Sequence, residues 1–281
     1  MYENSKDTKK LNYNETYVCF SEFDNFQHIL NSTMRIKLLL SLYHDKKRLA
    51  TLREDLGKPS ATILHGLKEL NKNSLIIRID KYYCLSSLGY IFTVNLLKLI
   101  EKWYSIELNI DFWKNQDVTT IPMQFLKEID IFKNAKHIIY NETDLKPLNE
   151  YLKLIAKSNS LKIIVPTFSK VHLDAIIHKL DNNCNIELII DENIFESINS
   201  NGYSKKLFEN PNNKKKRNNL KIWGVEENLK LFLTVSEDFC SLSLFFEDGI
   251  YNDSSVLLDK SKGGINWGLG LFNYYKEYNL L

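Results

Sequence analysis

Apolar residues take up helical spacing from Ser32 onward. Ile36, Leu39, Leu40 and Tyr43 fall on one face, and Ser32 or Thr33 can accept from the orphan amides of a first turn. Residues 1–31, polar with scattered aromatics, predict a flexible lead-in with a short helix over 22–30. A second short helix over 49–56 stops at Gly57, and Lys58-Pro59-Ser60 forms a turn in which Pro59 forbids helical continuation. Ser60 then caps a third helix, 61–72, with Ile63, Leu64, Leu67 and Leu70 on its apolar face. Two β-rich runs, 75–79 and 82–85, flank the polar pair Asp80-Lys81 and read as a hairpin. Ser86 or Ser87 caps a long helix running from 88 to about 105.

Residues 106–121 read as a connection, and the pattern then alternates. Helical stretches are expected at 121–132, 145–157, 171–180 and 194–198, with strands at 137–140, 161–165 and 186–190. A polar surface loop covers 201–219. Strands at 220–225, 229–235 and 239–246, a turn at Glu247-Asp248-Gly249 and a closing amphipathic helix over 265–278 complete the chain. Helices alternating with strands, followed by a meander, predict one α/β layered domain over 122–281. The overall class is α/β: a winged helix-turn-helix over 32–105, then an α/β sensor domain. No internal repeat is visible.

Composition narrows the possibilities. The 281 residues are 44% hydrophobic and 12% aromatic, enough to bury real cores, and 10 Gly and 5 Pro exclude collagen-like and Pro/Gly-rich classes. No run approaches the ~18 apolar residues of a membrane span, and the polar start is unlike a secretory signal, so a cytoplasmic protein without a membrane partner is expected. Cys19, Cys84, Cys184 and Cys240 are scattered, which fits reduced core thiols and excludes zinc-ribbon or CxxC spacing. Net charge is +2, but residues 1–105 hold 16 Lys and Arg against 11 Asp and Glu, while the remainder is mildly acidic. Within 32–105 the balance is 13 to 6, which points the front domain toward an anionic partner.

Three short helices and a hairpin supply the means to use that charge. In a winged helix-turn-helix the third helix enters the major groove, where base edges present donors and acceptors, and the hairpin reaches phosphate or the neighbouring minor groove. The exposed positions of the third helix include Ser60, Thr62, His65, Lys68 and Lys72. Thr62 and His65 can bond bases or phosphates, Lys58, Lys68 and Lys72 can meet phosphates, and the helix N-terminus adds its own amides. Arg78, Lys81 and Tyr82 are the expected wing contacts. The expected partner is a double-stranded DNA operator read by a homodimer.

Three segments carry a family resemblance: Ser32-Thr-Met-Arg-Ile-Lys-Leu-Leu-Leu-Ser-Leu-Tyr, Leu52-Arg-Glu-Asp-Leu-Gly-Lys-Pro-Ser-Ala-Thr-Ile-Leu-His-Gly-Leu-Lys-Glu-Leu and Tyr83-Cys-Leu-Ser-Ser-Leu-Gly. Together they resemble archaeal ArsR-like winged-helix regulators, especially those of methanogens. The stretch from Leu233 to Ser255 and Trp267-Gly-Leu-Gly-Leu-Phe-Asn-Tyr-Tyr resemble the filamentation-regulator-type middle domain of the same proteins. The pattern departs at Asn252-Asp253, where an acidic residue directly after Tyr251 is expected. The resemblance covers about residues 30–279 and implies sequence-specific DNA binding, transcriptional regulation and a signal received by the second domain.

The back domain shows no chemistry of its own. There is no Walker loop, GxGxxG or GxSxG, and the histidines at 28, 44, 65, 137, 172 and 178 lack metal-ligand spacing, so no cofactor, metal or catalytic residue is assigned. The strand order also resembles phospholipase D-like sensor domains of other archaeal regulators, which need a histidine with a lysine two residues on. His172 is followed by Leu173 and Asp174, and His178 by Lys179 and Leu180, so the motif is missing. What remains is a binding module for an unidentified small molecule. Sites of that kind gather at strand ends, where Thr167, Ser169, Ser236, Asp238, Ser241 and Tyr251 are the candidates. An enzyme acting on a phosphorylated or nucleotide substrate, and a winged helix used for protein docking, stay open as alternatives.

Overall fold

The computed structural model describes residues 23–139, 146–209, 217–225 and 229–278. The chain forms two compact units, one ending at Ile100 and one beginning at Glu101.

The first unit contains α1 (Phe23–Leu30), α2 (Thr33–Ser41), β1 (Lys47–Arg48), α3 (Leu49–Leu56), α4 (Ser60–Lys72), β2 (Ile76–Ile79) and β3 (Tyr82–Leu85). Helix α5 (Ser87–Leu108) starts here and continues into the second unit. Ser32 caps α2 by accepting from the amide of Arg35 at 3.3 Å. Gly57 ends α3 with φ at +59°, and its amide reaches back to the carbonyl of Arg53. Leu38, Leu39, Leu52, Ile63, Leu67 and Leu70 are buried where α2, α3 and α4 meet. Gly66 permits that approach, because a Cβ there would stand 2.7 Å from Cδ1 of Leu38. The predicted apolar face of α4 needs one correction: Leu64 is 42% exposed, because the contact with α2 runs along Ile63, Gly66, Leu67 and Leu70. In the hairpin Ile76 pairs with Leu85 and Ile79 with Tyr82, and β1 adds to the far side of β3 in the order β1-β3-β2. Three helices with this small sheet are a winged helix-turn-helix. The two-residue strand β1 is too short to show in the sequence pattern. Residues 1–22 of the expected lead-in lie outside the described residues; α1 follows them, with Ile29 buried.

The second unit is built on a seven-stranded sheet. Its strands are β4 (Lys136–Ile139), β5 (Ser160–Val165), β6 (Asn185–Asp191), β7 (Leu220–Val225), β8 (Leu231–Ser236), β9 (Cys240–Leu244) and β10 (Ser255–Asp259), ordered β4-β10-β9-β8-β5-β6-β7. β5, β6 and β7 run parallel; the remaining pairings are antiparallel. The shorter helices are α6 (Ile110–Trp113), α7 (Met123–Leu126), α8 (Lys146–Lys157), α9 (Lys170–Asp181), α10 (Glu192–Ser200) and α11 (Ser204–Phe208), and α12 (Lys262–Tyr278) closes the chain. Ile164 and Ile189 join Trp267, Leu271 and Phe272 of α12 in one core. Ile163, Val165, Leu188 and Ile190 join Tyr151, Ile155, Leu173 and Ile176 in the other. Strands buried on both faces need continuous apolar runs, which is how β5 and β6 read in the sequence.

Local patterning misplaced several elements here. The helix expected over 121–132 is the short α7 followed by a 3₁₀ stretch, Ile129–Asn134, whose Ile129 and Phe132 are buried. The expected connection 106–121 contains α6 and two buried core residues, Phe112 and Ile121. The expected loop over 201–219 contains α11, and Arg217 at its end is buried, its guanidinium held by Asp181 at 2.5 Å and by the carbonyl of Lys206. The basic run before Arg217, at 214–216, lies outside the described residues. Strand β10 had no counterpart in the sequence reading. Among the described residues no helix is long and apolar enough to cross a membrane.

Candidate functional site

Two places in the fold bring the sequence candidates together. The first is the exposed side of α4 and the wing. Thr62, His65, Lys68 and Lys72 all lie on the solvent side of α4, opposite its buried Ile63, Leu67 and Leu70, and Lys58 is exposed on the turn before it. Ser60 is half-buried and is the first helical residue rather than the cap. Pro59 occupies the cap position and offers no side-chain acceptor, so the opening amides of α4 are not closed off by a cap. That correction leaves the helix N-terminus better suited to an anion than the sequence reading implied.

The wing is more cationic than expected. Arg78 and Lys81 are exposed, and Arg78 Nε donates to the carbonyl of Asp80 at 3.0 Å, which holds the tip in shape. Tyr82 is half-buried beneath two cations: the guanidinium of Arg48 lies 4.7 Å and the ammonium of Lys46 5.2 Å from its ring centroid. Lys46 and Arg48 were missed. They reach the wing only because β1 pairs Arg48 with Tyr82, a long-range register that the basic run Lys46-Lys47-Arg48 could not announce by itself. Lys47 differs, since Asp55 neutralises it at 2.6 Å. Among the described residues Lys58, Lys68, Lys72 and Lys81 form no salt bridge, so their charge is available to an anion.

The second place is a cavity of about 610 Å³ beyond the carboxyl end of β5. Thr167, Ser169, Ser241 and Tyr251 line it. Ser236 and Asp238 do not. Antiparallel pairing of β8 sets Ser236 opposite Leu161, at the other end of β5, and the Ser236 hydroxyl closes the β8–β9 turn by accepting from the amides of Asp238 and Phe239.

Aromatic rings wall the cavity. Tyr151 and Phe232 each have their centroid 5.0 Å from the His172 imidazole, and Tyr251 lies 6.3 Å from Phe232. The sequence reading did not assign Tyr151, His172 or Phe232 to a site. They come from α8, α9 and β8, and only the tertiary fold brings them together. Ser169 sits at the cap position of α9 but caps none of its amides; its Oγ is 2.7 Å from Nδ1 of His172 instead. Burial lowers the His172 pKa to about 4, so the ring is neutral at physiological pH. Burial holds the phenols of Tyr151 and Tyr251 protonated well above the usual range, with partial relief from Thr234 at 3.0 Å and from Ser243 respectively. Among the described residues no three His, Cys, Asp or Glu side chains converge as metal ligands.

Comparison with known proteins places this geometry. Residues 23–103 match the family model of the methanogenesis regulatory protein FilR1, N-terminal domain, and residues 145–278 that of its middle domain. Methanogenesis regulatory protein FilR1 of Methanothrix harundinacea (strain 6Ac) is 27% identical over 253 residues, covering 88% of this chain and 55% of that protein, so the chain spans about half the relative's length. Among solved structures, TrmBL2, an archaeal chromatin protein, shares 12% identity with a TM-score of 0.38 over 87% of this chain and 91% of that one. An O-methyltransferase family protein from Burkholderia thailandensis shares 8% identity with a TM-score of 0.26, covering 75% and 63%. Both structural likenesses are too distant to carry an argument. The two domain models, matched in order, together cover most of the chain, and the chain belongs to the FilR1 family of archaeal regulators.

Proposed function

We propose that the chain is a sequence-specific DNA-binding transcription regulator that acts as a homodimer and responds to a small molecule held in the second unit. The observation carrying the DNA reading is the exposed face of α4. Thr62 and His65 stand among unpaired lysines, behind an uncapped helix start and beside a wing bearing Arg48, Arg78 and Lys81. Such a face reads base edges with its centre and meets phosphates with its flanks. The similarity to the methanogenesis regulatory protein FilR1 of Methanothrix harundinacea agrees with it.

Dimerisation draws support from α5, where Leu88, Ile91, Leu99 and Trp103 are each more than half exposed. Paired winged helices would meet half-sites about one helical turn, ~34–36 Å, apart. The cavity supports a receptor role for the second unit, and α5, continuous through both units, is the element suited to pass the message. An enzymatic reading finds less support. His172, the one imidazole among the described residues that line the cavity, has its pKa pushed to about 4 and is a poor base at neutral pH.

A gel shift on a duplex from the region upstream of the chain's own gene tests the reading. Wild-type protein is expected to prefer that duplex over an unrelated one. Thr62→Ala with His65→Ala is expected to erase the preference and leave salt-sensitive binding. Unchanged preference in the double variant would remove α4 as the reading element.

A further inference from the structure

We propose that the cavity beyond β5 takes an uncharged, phosphate-free molecule that joins a planar ring to a hydroxylated body, the chemistry of a nucleoside. This rests on reading the cavity as the regulator's ligand site and adds what the ligand must be.

Size admits such a molecule: about 610 Å³ lies within the ~300–1,000 Å³ typical of small-ligand sites. One wall suits a ring, since Tyr151, His172 and Phe232 all line the cavity and pack tilted or edge-to-face with centroids 5.0 to 5.5 Å apart. The floor suits hydroxyls. Ser241 is only 5% exposed and lines the cavity. With Ser243, which lines the same cavity, it offers hydroxyls that can donate to and accept from hydroxyls of a ligand. Thr167 faces the same space, and Asp253, whose Oδ1 accepts from Ser254 at 3.1 Å, offers a carboxylate to a donor pair at the rim. A carboxylate receiving sugar hydroxyls is a common arrangement in nucleotide-binding folds.

Charge sets the rest of the class. Among the described residues lining the cavity there is no lysine or arginine, and Asp253 is the one formal charge. His172 is kept neutral by burial, so it adds no cation. The amide end of α9 supplies about half a positive charge, and the carboxylate of Asp253 in the same lining opposes a phosphate drawn to it. Asp253 is itself exposed, so a cation buried against the aromatic wall would lack a desolvated partner.

Calorimetric titration of the full chain with adenosine, guanosine, cytidine and uridine, each beside its 5′-monophosphate, tests the proposal. At least one nucleoside is expected to bind, and its monophosphate to bind roughly tenfold more weakly or worse. Ser241→Leu, which fills the floor, is expected to abolish binding. Asp253→Asn, at an exposed position, is expected to weaken the nucleoside and narrow its advantage over the monophosphate. Tighter binding of a monophosphate, or no nucleoside binding at all, overturns the ligand class. Mass spectrometry of small molecules released from chain purified from its own cells separates the two readings. A charged molecule lost in Ser241→Leu overturns the class while upholding the cavity; DNA preference retained without any cavity ligand overturns the cavity alone.

Discussion

Nδ1 of His172 lies 2.7 Å from the hydroxyl of Ser169, the residue that opens α9. This short contact ties a half-buried neutral imidazole to a helix start and gives the second unit a defined acid response. Unfolded histidine titrates near 6.5, whereas folded His172 titrates near 4 because burial disfavours its charged form. Above about pH 6.5 both states are neutral and the contribution is fully present. Below that the unfolded chain takes up the proton first, and stability falls by about 1.4 kcal/mol per pH unit, or about 2 kcal/mol by about pH 5, until the folded ring also protonates near pH 4. His172→Gln is expected to remove this part of the acid slope. Urea unfolding of both proteins across the range measures it, and equal slopes would contradict the burial of a neutral ring.

Gly89 is the tightest point of the winged unit. A Cβ there would stand 1.8 Å from the carbonyl oxygen of Leu75 and 2.7 Å from its carbon, both backbone atoms that cannot swing away. Ser86 fixes the same junction by accepting from the Gly89 amide at 2.9 Å and donating to the carbonyl of Ser74 at 2.6 Å. Gly89→Ala is therefore expected to cost about 3 kcal/mol or more. Denaturant melts read the loss, with Gly263→Ala, whose Cβ would meet ordinary contacts at 3.4 Å, as the mild control.

The front unit was legible because its signals are local. Ser32, Gly57, Pro59 and the Asp80-Lys81 turn mark element ends within a few residues of the patterns they bound. What sequence could not show there was pairing: the two residues of β1 matter through their register with Tyr82 and Tyr83. The second unit hid more for the same reason. β10 is five residues long, and it is a strand because β4 and β9 hold it on both sides. Ser236 and Asp238 read as strand-end residues, which they are, but the direction of β8 carries them away from the cavity. Tyr151 and Phe232 are separated by some eighty positions and share a ring contact of 5.5 Å. No periodicity reports that distance.

Arg217 is held to the end of α9 by Asp181. Its side chain is 3% exposed and depends on Asp181 at 2.5 Å, while its Nε has no partner among the described residues. Asp181→Ala strands a buried guanidinium and is expected to destabilise the second unit by about 3 kcal/mol. Arg217→Met, which removes the charge as well, is expected to cost less. Thermal melts of the two variants decide the order, and the reverse order would show the pair to be incidental.

Lys68 separates phosphate contact from base reading. Lys68→Ala is expected to weaken binding to every duplex alike and to lower the slope of log affinity against log salt by about one. Fluorescence anisotropy over a salt series measures both. An unchanged slope would take Lys68 off the phosphate path.

The claim that α4 and its wing enter DNA is tested most directly by hydrogen exchange on the full chain with and without a bound duplex. Added protection is expected over the opening turn of Ser60–Lys72 and over the hairpin Ile76–Ile79 and Tyr82–Leu85. Protection confined to other segments, with those unchanged, would contradict it.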